Sequence, residues 1–146
     1  MRKFSILMGL MAAVTLAACP PGPRVSERIA AEAAKAGTID LATLTPFPWD
    51  RALVFGPYAS TDRICAALPK SFAECAKSYP QGVGEGSYLL TFIRDSHVVH
   101  HELHSRRNGE FCSNSCVLDL RPQTARFTVG PSPSAADRKH FTPAVR

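Results

Sequence analysis

Apolar and polar positions organise the second half of the chain into two adjacent runs. Tyr88–Arg94 and His97–His104 are rich in strand formers, and Asp95-Ser96 between them suits a two-residue turn. This predicts a hairpin that sets Arg94 opposite His97, Phe92 opposite Val99, Leu90 opposite His101 and Tyr88 opposite Leu103. Opposed residues share a face, so Tyr88, Leu90, Phe92, Val99 and Leu103 make one apolar surface. Leu89, Thr91, Ile93, Val98, His100, Glu102 and His104 make the mixed one. Leu53-Val54-Phe55 is a continuous apolar run ended by Gly56-Pro57, which predicts a strand buried on both faces. Arg126–Val129 alternates like a last strand, and Val117–Leu120 suits a short edge strand.

Helical spacing governs other stretches. Arg24–Lys35 carries Val25, Ile29 and Ala33 at four-residue steps before Gly37, predicting an amphipathic helix whose thin stripe packs loosely. Ser60 or Thr61 can cap a short helix from Asp62 to Leu68, and Ser71-Phe72-Ala73-Glu74 has the spacing of a capping box leading into Cys75. Pro46 and Pro48 predict an irregular path for Thr38–Trp49. The expected architecture is α+β: an N-terminal helix and one antiparallel sheet of about four strands (51–55, 88–94, 97–104 and 125–129), with short helices on one face. Residues 24–130 form a single globular domain in this reading. Residues 131–146, polar and broken by Pro133 and Pro143, form a poorly ordered tail.

The first residues follow a different pattern. Arg2 and Lys3 precede an apolar run from Phe4 to Thr15, which ends in Leu16-Ala17-Ala18-Cys19. Cations, a short apolar core and small residues form the layout of a secretory signal, and the run is shorter than the ~20 residues of a spanning helix. The ending resembles the lipobox of bacterial lipoproteins. The resemblance implies cleavage after residue 18 and acylation of Cys19, hence a permanent bond to the bilayer. Pro20 rather than Asp follows the cysteine, which by the same resemblance implies the outer membrane, facing the periplasm. Pro20-Pro21-Gly22-Pro23 reads as a stiff, extended tether of residues 19–23.

Composition narrows the class further. Without residues 1–18 the chain keeps 128 of its 146 residues, with 15 Lys and Arg against 12 Asp and Glu. No basic stripe interleaved with aromatics appears, so nucleic acid is not an expected partner. Beyond Cys19 four cysteines remain: Cys65, Cys75, Cys112 and Cys116. In an exported domain an even number reads as two disulfides, with three connectivities open. Local pairing, Cys65 with Cys75 and Cys112 with Cys116, is preferred because short loops meet easily, and a cross-link between the two regions is the rival.

Trp49-Asp50, an apolar strand, then Pro57-Tyr58, a short helix and a later hairpin resemble small bacterial lipoproteins with a Trp-Asp…Pro-Tyr signature. That resemblance implies no activity. Trp49, Asp50 and Tyr58 could line a ligand cleft with Asp50 as acid or base. The preferred reading is structural: Trp49 closes the core, Asp50 accepts backbone hydrogen bonds at the start of the strand, and Tyr58 covers the turn. No second carboxylate or nucleophile sits in register with them.

His97, His100, His101 and His104 follow H-x-x-H-H-x-x-H. On a helix they would share one face and, with Cys112 and Cys116, suit zinc or copper. On a strand they divide into His97/His101 and His100/His104 on opposite faces, the arrangement favoured by Val98-Val99 and the turn. No nucleophile elbow, phosphate loop or dinucleotide fingerprint is present. The expected function is therefore that of a non-enzymatic, lipid-anchored envelope protein that binds or supports another envelope protein or polymer and carries no cofactor. A metal-binding lipoprotein using the histidine segment is the alternative, and an inhibitor of an envelope hydrolase is a weaker one.

Overall fold

The computed structural model describes residues 23–144. The signal, Cys19 and the start of the tether lie outside the described residues. The fold mixes short helices with two antiparallel sheets. Its elements are α1 (Val25–Ala33), β1 (Thr38–Asp40), α2 (Leu41–Leu44), β2 (Arg51–Phe55), α3 (Thr61–Ala67), α4 (Cys75–Ser78), β3 (Ser87–Arg94), β4 (His97–Ser105), β5 (Val117–Leu120), β6 (Arg126–Pro131) and β7 (Lys139–Pro143). A short 3-10 turn, Arg106–Asn108, follows β4. Among the described residues no helix is long and apolar enough to cross a membrane.

The larger sheet has the order β4-β3-β2-β5 and forms the middle of three layers. Leu53, Phe55, Leu89 and Ile93 point from one face onto Ile64, Leu68, Cys75, Tyr79 and Val83 of the α3–α4 segment. Ala52, Val54, Tyr88, Leu90 and Phe92 point from the other face onto α1 and the smaller sheet, β1-β6-β7. There Phe111 packs edge-on against Phe127 and Phe141, with ring centres 5.4 and 5.0 Å apart. Gly109 permits this packing: at φ 130° it sits where a Cβ would come within 2.0 Å of the Phe141 ring. The central strands β2 and β3 are thus covered on both faces, which explains their unbroken apolar runs.

Two disulfides, Cys65–Cys75 and Cys112–Cys116, follow the preferred local pattern. The first ties α3 to α4, and the second staples the loop before β5.

Several expectations need correction. The fourth strand of the larger sheet is Val117–Leu120, paired to β2, whereas Arg126–Pro131 belongs to the smaller sheet. Thr38–Trp49 contributes β1 and α2 before its prolines, so it is not irregular throughout. Residues 131–146 were expected as a tail, yet Lys139–Pro143 pairs with β6 and fully buries Phe141. The helices do not share a face, and α1 packs firmly, with Ile29 fully buried.

The hairpin departs most informatively. Asp95 and Ser96 form the two-residue turn with φ of 50° and 61°, and Arg94 pairs with His97 and Ile93 with Val98 as expected. A bulge between Phe92 and Ile93 then inserts one residue into β4, so Phe92 faces His100, Leu90 faces Glu102 and Tyr88 faces His104. A slip of one residue exchanges the faces of a strand. Val99 and Leu103 consequently remain 45 % and 50 % exposed, while Glu102 and His104 turn inward. Thr91, expected on a mixed face, is fully buried as well.

Candidate functional site

The residues turned inward by the bulge serve α1. The first turn of a helix has backbone N–H groups without intrahelical partners. Glu102 supplies acceptors for two of them, taking Ser26 N–H at 2.7 Å and Val25 N–H at 3.3 Å. It also meets His100 Nε2 at 2.7 Å. A carboxylate at a helix N-terminus is favoured by the helix dipole as well.

His104 lies beside this cap. Its Nε2 is 3.0 Å from the Gly109 carbonyl, which can only accept, so Nε2 carries the proton. Nδ1 therefore accepts from Ser26 Oγ at 2.9 Å, and Ser26 Oγ in turn accepts from Asn108 Nδ2 at 2.9 Å. Burial pushes the His104 pKa down to about 4. A serine bonded to a neutral histidine has the outline of a nucleophile and base. Here Ser26 is 4 % exposed and His104 is 0 % exposed, which leaves no space for a substrate. The pair locks α1 to the sheet.

The outer side of the same cap borders an open cavity of about 580 Å³. Val25, Pro46 and Phe47 give it an apolar part, His100 and Glu102 lie at the sheet side, and Arg24 and Arg28 stand at the rim. Phe47 rests on His100 at 4.8 Å between ring centres and on Phe92 at 5.3 Å. Arg24 donates one N–H to the Leu103 carbonyl, and Arg28 donates one to the Pro23 carbonyl. A guanidinium has five N–H donors, so each retains further donors for a ligand. The cavity can accept an anionic group attached to an apolar body.

The four histidines have separate roles. His97 Nδ1 meets the Asp95 carbonyl in its own turn. His100 pairs with Glu102, and His104 with Ser26 and Gly109. His101 Nδ1 meets the hydroxyl of Tyr79, whose pKa burial raises to about 12, so the phenol keeps its proton and donates it. Burial, and then neighbouring His100, lower the His101 pKa. Cys112 and Cys116 are joined to each other. Among the described residues no group of three or more His, Cys, Asp or Glu side chains could hold a metal ion.

The Trp49, Asp50, Pro57 and Tyr58 positions lie elsewhere. Trp49 is buried, its indole N–H donating to Thr45 Oγ1 at 2.8 Å. Asp50 Oδ2 accepts the Asp95 N–H at 2.8 Å and so braces the hairpin turn. The Pro57 carbonyl accepts the Ser115 N–H, and Tyr58 is half exposed at the following turn. A wider cavity of about 870 Å³ lies beside Asp50, Lys70, His97 and Arg121. Of the two carboxylates that line it, Asp50 is engaged by the turn and Asp95 pairs with Arg94.

Two buried acids were not singled out by the sequence. Glu102 carried a weak signal as the one acid within the histidine segment. Glu110 carried none, being a single charge beside Phe111. Glu110 accepts from Arg106, Arg138, Ser132 and Ser134. Burial alone would raise its pKa, but those four hydrogen-bond donors outweigh it and hold the carboxyl at about 2. Through its backbone, Glu110 also bonds Lys139 and Phe141, fastening β7 to the domain.

Comparison with known protein families, with curated proteins and with solved structures finds no match to this chain.

Proposed function

We propose that this protein is a lipid-anchored envelope lipoprotein, a non-enzymatic binding module held to the outer membrane through Cys19. The observation that carries the reading is the sequence Leu16-Ala17-Ala18-Cys19 behind two cations and a short apolar run. Two local disulfides support it, since such bonds persist in oxidising compartments. The position of the Arg24–Arg28 cavity supports a binding role. It begins at Pro23, four residues after Cys19, so at most ~3.6 Å of chain per residue separates it from the anchor. An envelope partner bearing an anionic, partly apolar group would meet it close to the membrane surface.

The buried Ser26–His104 pair favours no catalytic reading, because its hydroxyl is already shared between two neighbours. The test is capture from crosslinked envelopes by the parent chain and by Arg24→Glu/Arg28→Glu. A partner recovered by the parent and lost from the variant is expected. Equal recovery by both would remove the cavity from the proposal.

A further inference from the structure

We propose that the face bearing the Arg24–Arg28 cavity docks on the leaflet that holds Cys19, and that the cavity takes the phosphate of an anionic phospholipid. Docking presupposes the acylated Cys19 put forward above. Pro23, which lines the cavity, follows Cys19 by four residues. At ~3.6 Å per residue that stretch spans at most ~14 Å. The headgroup layer is itself ~5–8 Å deep on each side of the hydrocarbon. The surface around Pro23 is therefore held within reach of the headgroups.

That surface has the makings of an interfacial one. Arg24 and Arg28 each give one N–H to a backbone carbonyl, of Leu103 and Pro23 respectively. The donors that remain lie in a planar fork that matches a phosphate. The neighbouring acids are engaged elsewhere. Glu102 is 8 % exposed and accepts from the Val25 and Ser26 N–H groups beside His100. Glu27 does not line the cavity and turns back to the Arg24 N–H at 3.2 Å.

Apolar side chains flank the two cations. Pro46 and Phe47 line the cavity, and Val99 and Leu103 adjoin its His100 and Glu102 along the chain. Val99 and Leu103 are two of the three exposed large hydrophobic residues described, at 45 % and 50 %. The third, Tyr58, lies outside this face. A phospholipid offers the matching pair, a phosphodiester for the arginines and acyl chains for the apolar residues just beneath it. The contact uses side chains alone, and the backbone edge of β4 takes no part. Little intrinsic affinity is needed, because a short tether makes docking an intramolecular step at an effective concentration in the millimolar range. Since β4 and β5 end the larger sheet at opposite edges, docking on the β4 side turns the β5 edge away from the membrane.

The test uses the full acylated chain, purified from membranes and placed in vesicles. With Cys19 acylated and the other four cysteines paired, Leu103→Cys supplies a single free thiol for a fluorophore. Val99→Cys gives a second position, and Gln123→Cys, exposed just beyond β5, is the control. Nitroxide-bearing lipid in the vesicles quenches a fluorophore that touches the bilayer. Flotation with pure phosphatidylcholine vesicles reads the anchor by itself, and a chain left behind there removes the anchor and the docking together. In vesicles of equal parts phosphatidylcholine and phosphatidylglycerol, the labels of the first two variants should be quenched several-fold more than the control. At roughly fivefold per cation near an anionic leaflet, Arg24→Gln/Arg28→Gln should weaken docking by about 25-fold. Its labels should then match the control, with flotation unchanged. Equal, weak quenching at all three positions, as a face kept for a protein partner would give, overturns the docking and leaves the anchor standing. Strong quenching that persists in pure phosphatidylcholine or in the double arginine variant overturns the phosphate site.

Discussion

Acidification should loosen the lock between α1 and the sheet through a single group, His104. In the folded chain burial holds its pKa at about 4, against 6.5 for the unfolded side chain. Between these values the unfolded chain binds a proton that the folded chain refuses. The contribution is therefore complete above about pH 6.5 and falls away as pH drops towards 4. At ~1.4 kcal/mol per pH unit, the gap amounts to roughly 3 kcal/mol. That is a large share of the ~5–15 kcal/mol typical of a domain. His104→Gln removes the titration while keeping a polar side chain that can meet Ser26. Urea midpoints of parent and variant, measured in steps from pH 7 to pH 4, cancel the other groups that titrate in that window. The variant should be less stable at pH 7 and should lose less on acidification, so the difference narrows by roughly 3 kcal/mol. A difference constant across the range would refute the assignment of His104 as a buried neutral base.

Other consequences can be checked by the same denaturation assay. Thr91 Oγ1 is buried without a hydrogen-bond partner among the described residues, so Thr91→Val should stabilise the domain by about 1 kcal/mol. Phe92→Ala, one position along, should cost about 3–5 kcal/mol by opening the core beneath Trp49 and Phe47. Glu110→Gln strands Arg106 and Arg138 and should cost on the order of 3 kcal/mol at pH 7. Because the carboxyl titrates lower in the folded chain than in the unfolded one, its contribution is full above about pH 4.5 and disappears as pH falls through about 2. The gap between parent and Glu110→Gln should close in that window.

Local signals were legible in the sequence, and long-range ones were not. Asp95-Ser96 announces its turn because its conformation depends on two residues and the twist of the flanking strands. The bulge next to it is invisible locally. Its stabilisation comes from Glu102 capping α1, 76 and 77 residues away along the chain. Alternation alone favoured Val99 and Leu103 inside, and the needs of a helix N-terminus overrode it. Phe141 stands alone in a polar stretch, so nothing nearby marked it as core; its place is set by Gly109, Phe111 and the backbone of Glu110. The local disulfides were readable because each closes a short span, of 10 and 4 residues; the brace from Asp50 to the Asp95 N–H was not, since it spans 45. The Arg24–Arg28 cavity was not, since it joins the start of α1 to Phe47 and the middle of β4.

The anchor is the centre of the account, and the covalent state of the mature N-terminus tests it most directly. Intact-mass analysis of the chain extracted from membranes, with fragmentation of its N-terminal peptide, reads that state without a variant. A chain that begins at Cys19 and is acylated on both its sulfur and its new amine is expected. A chain that retains Met1, or one cleaved elsewhere with Cys19 unmodified, would contradict it.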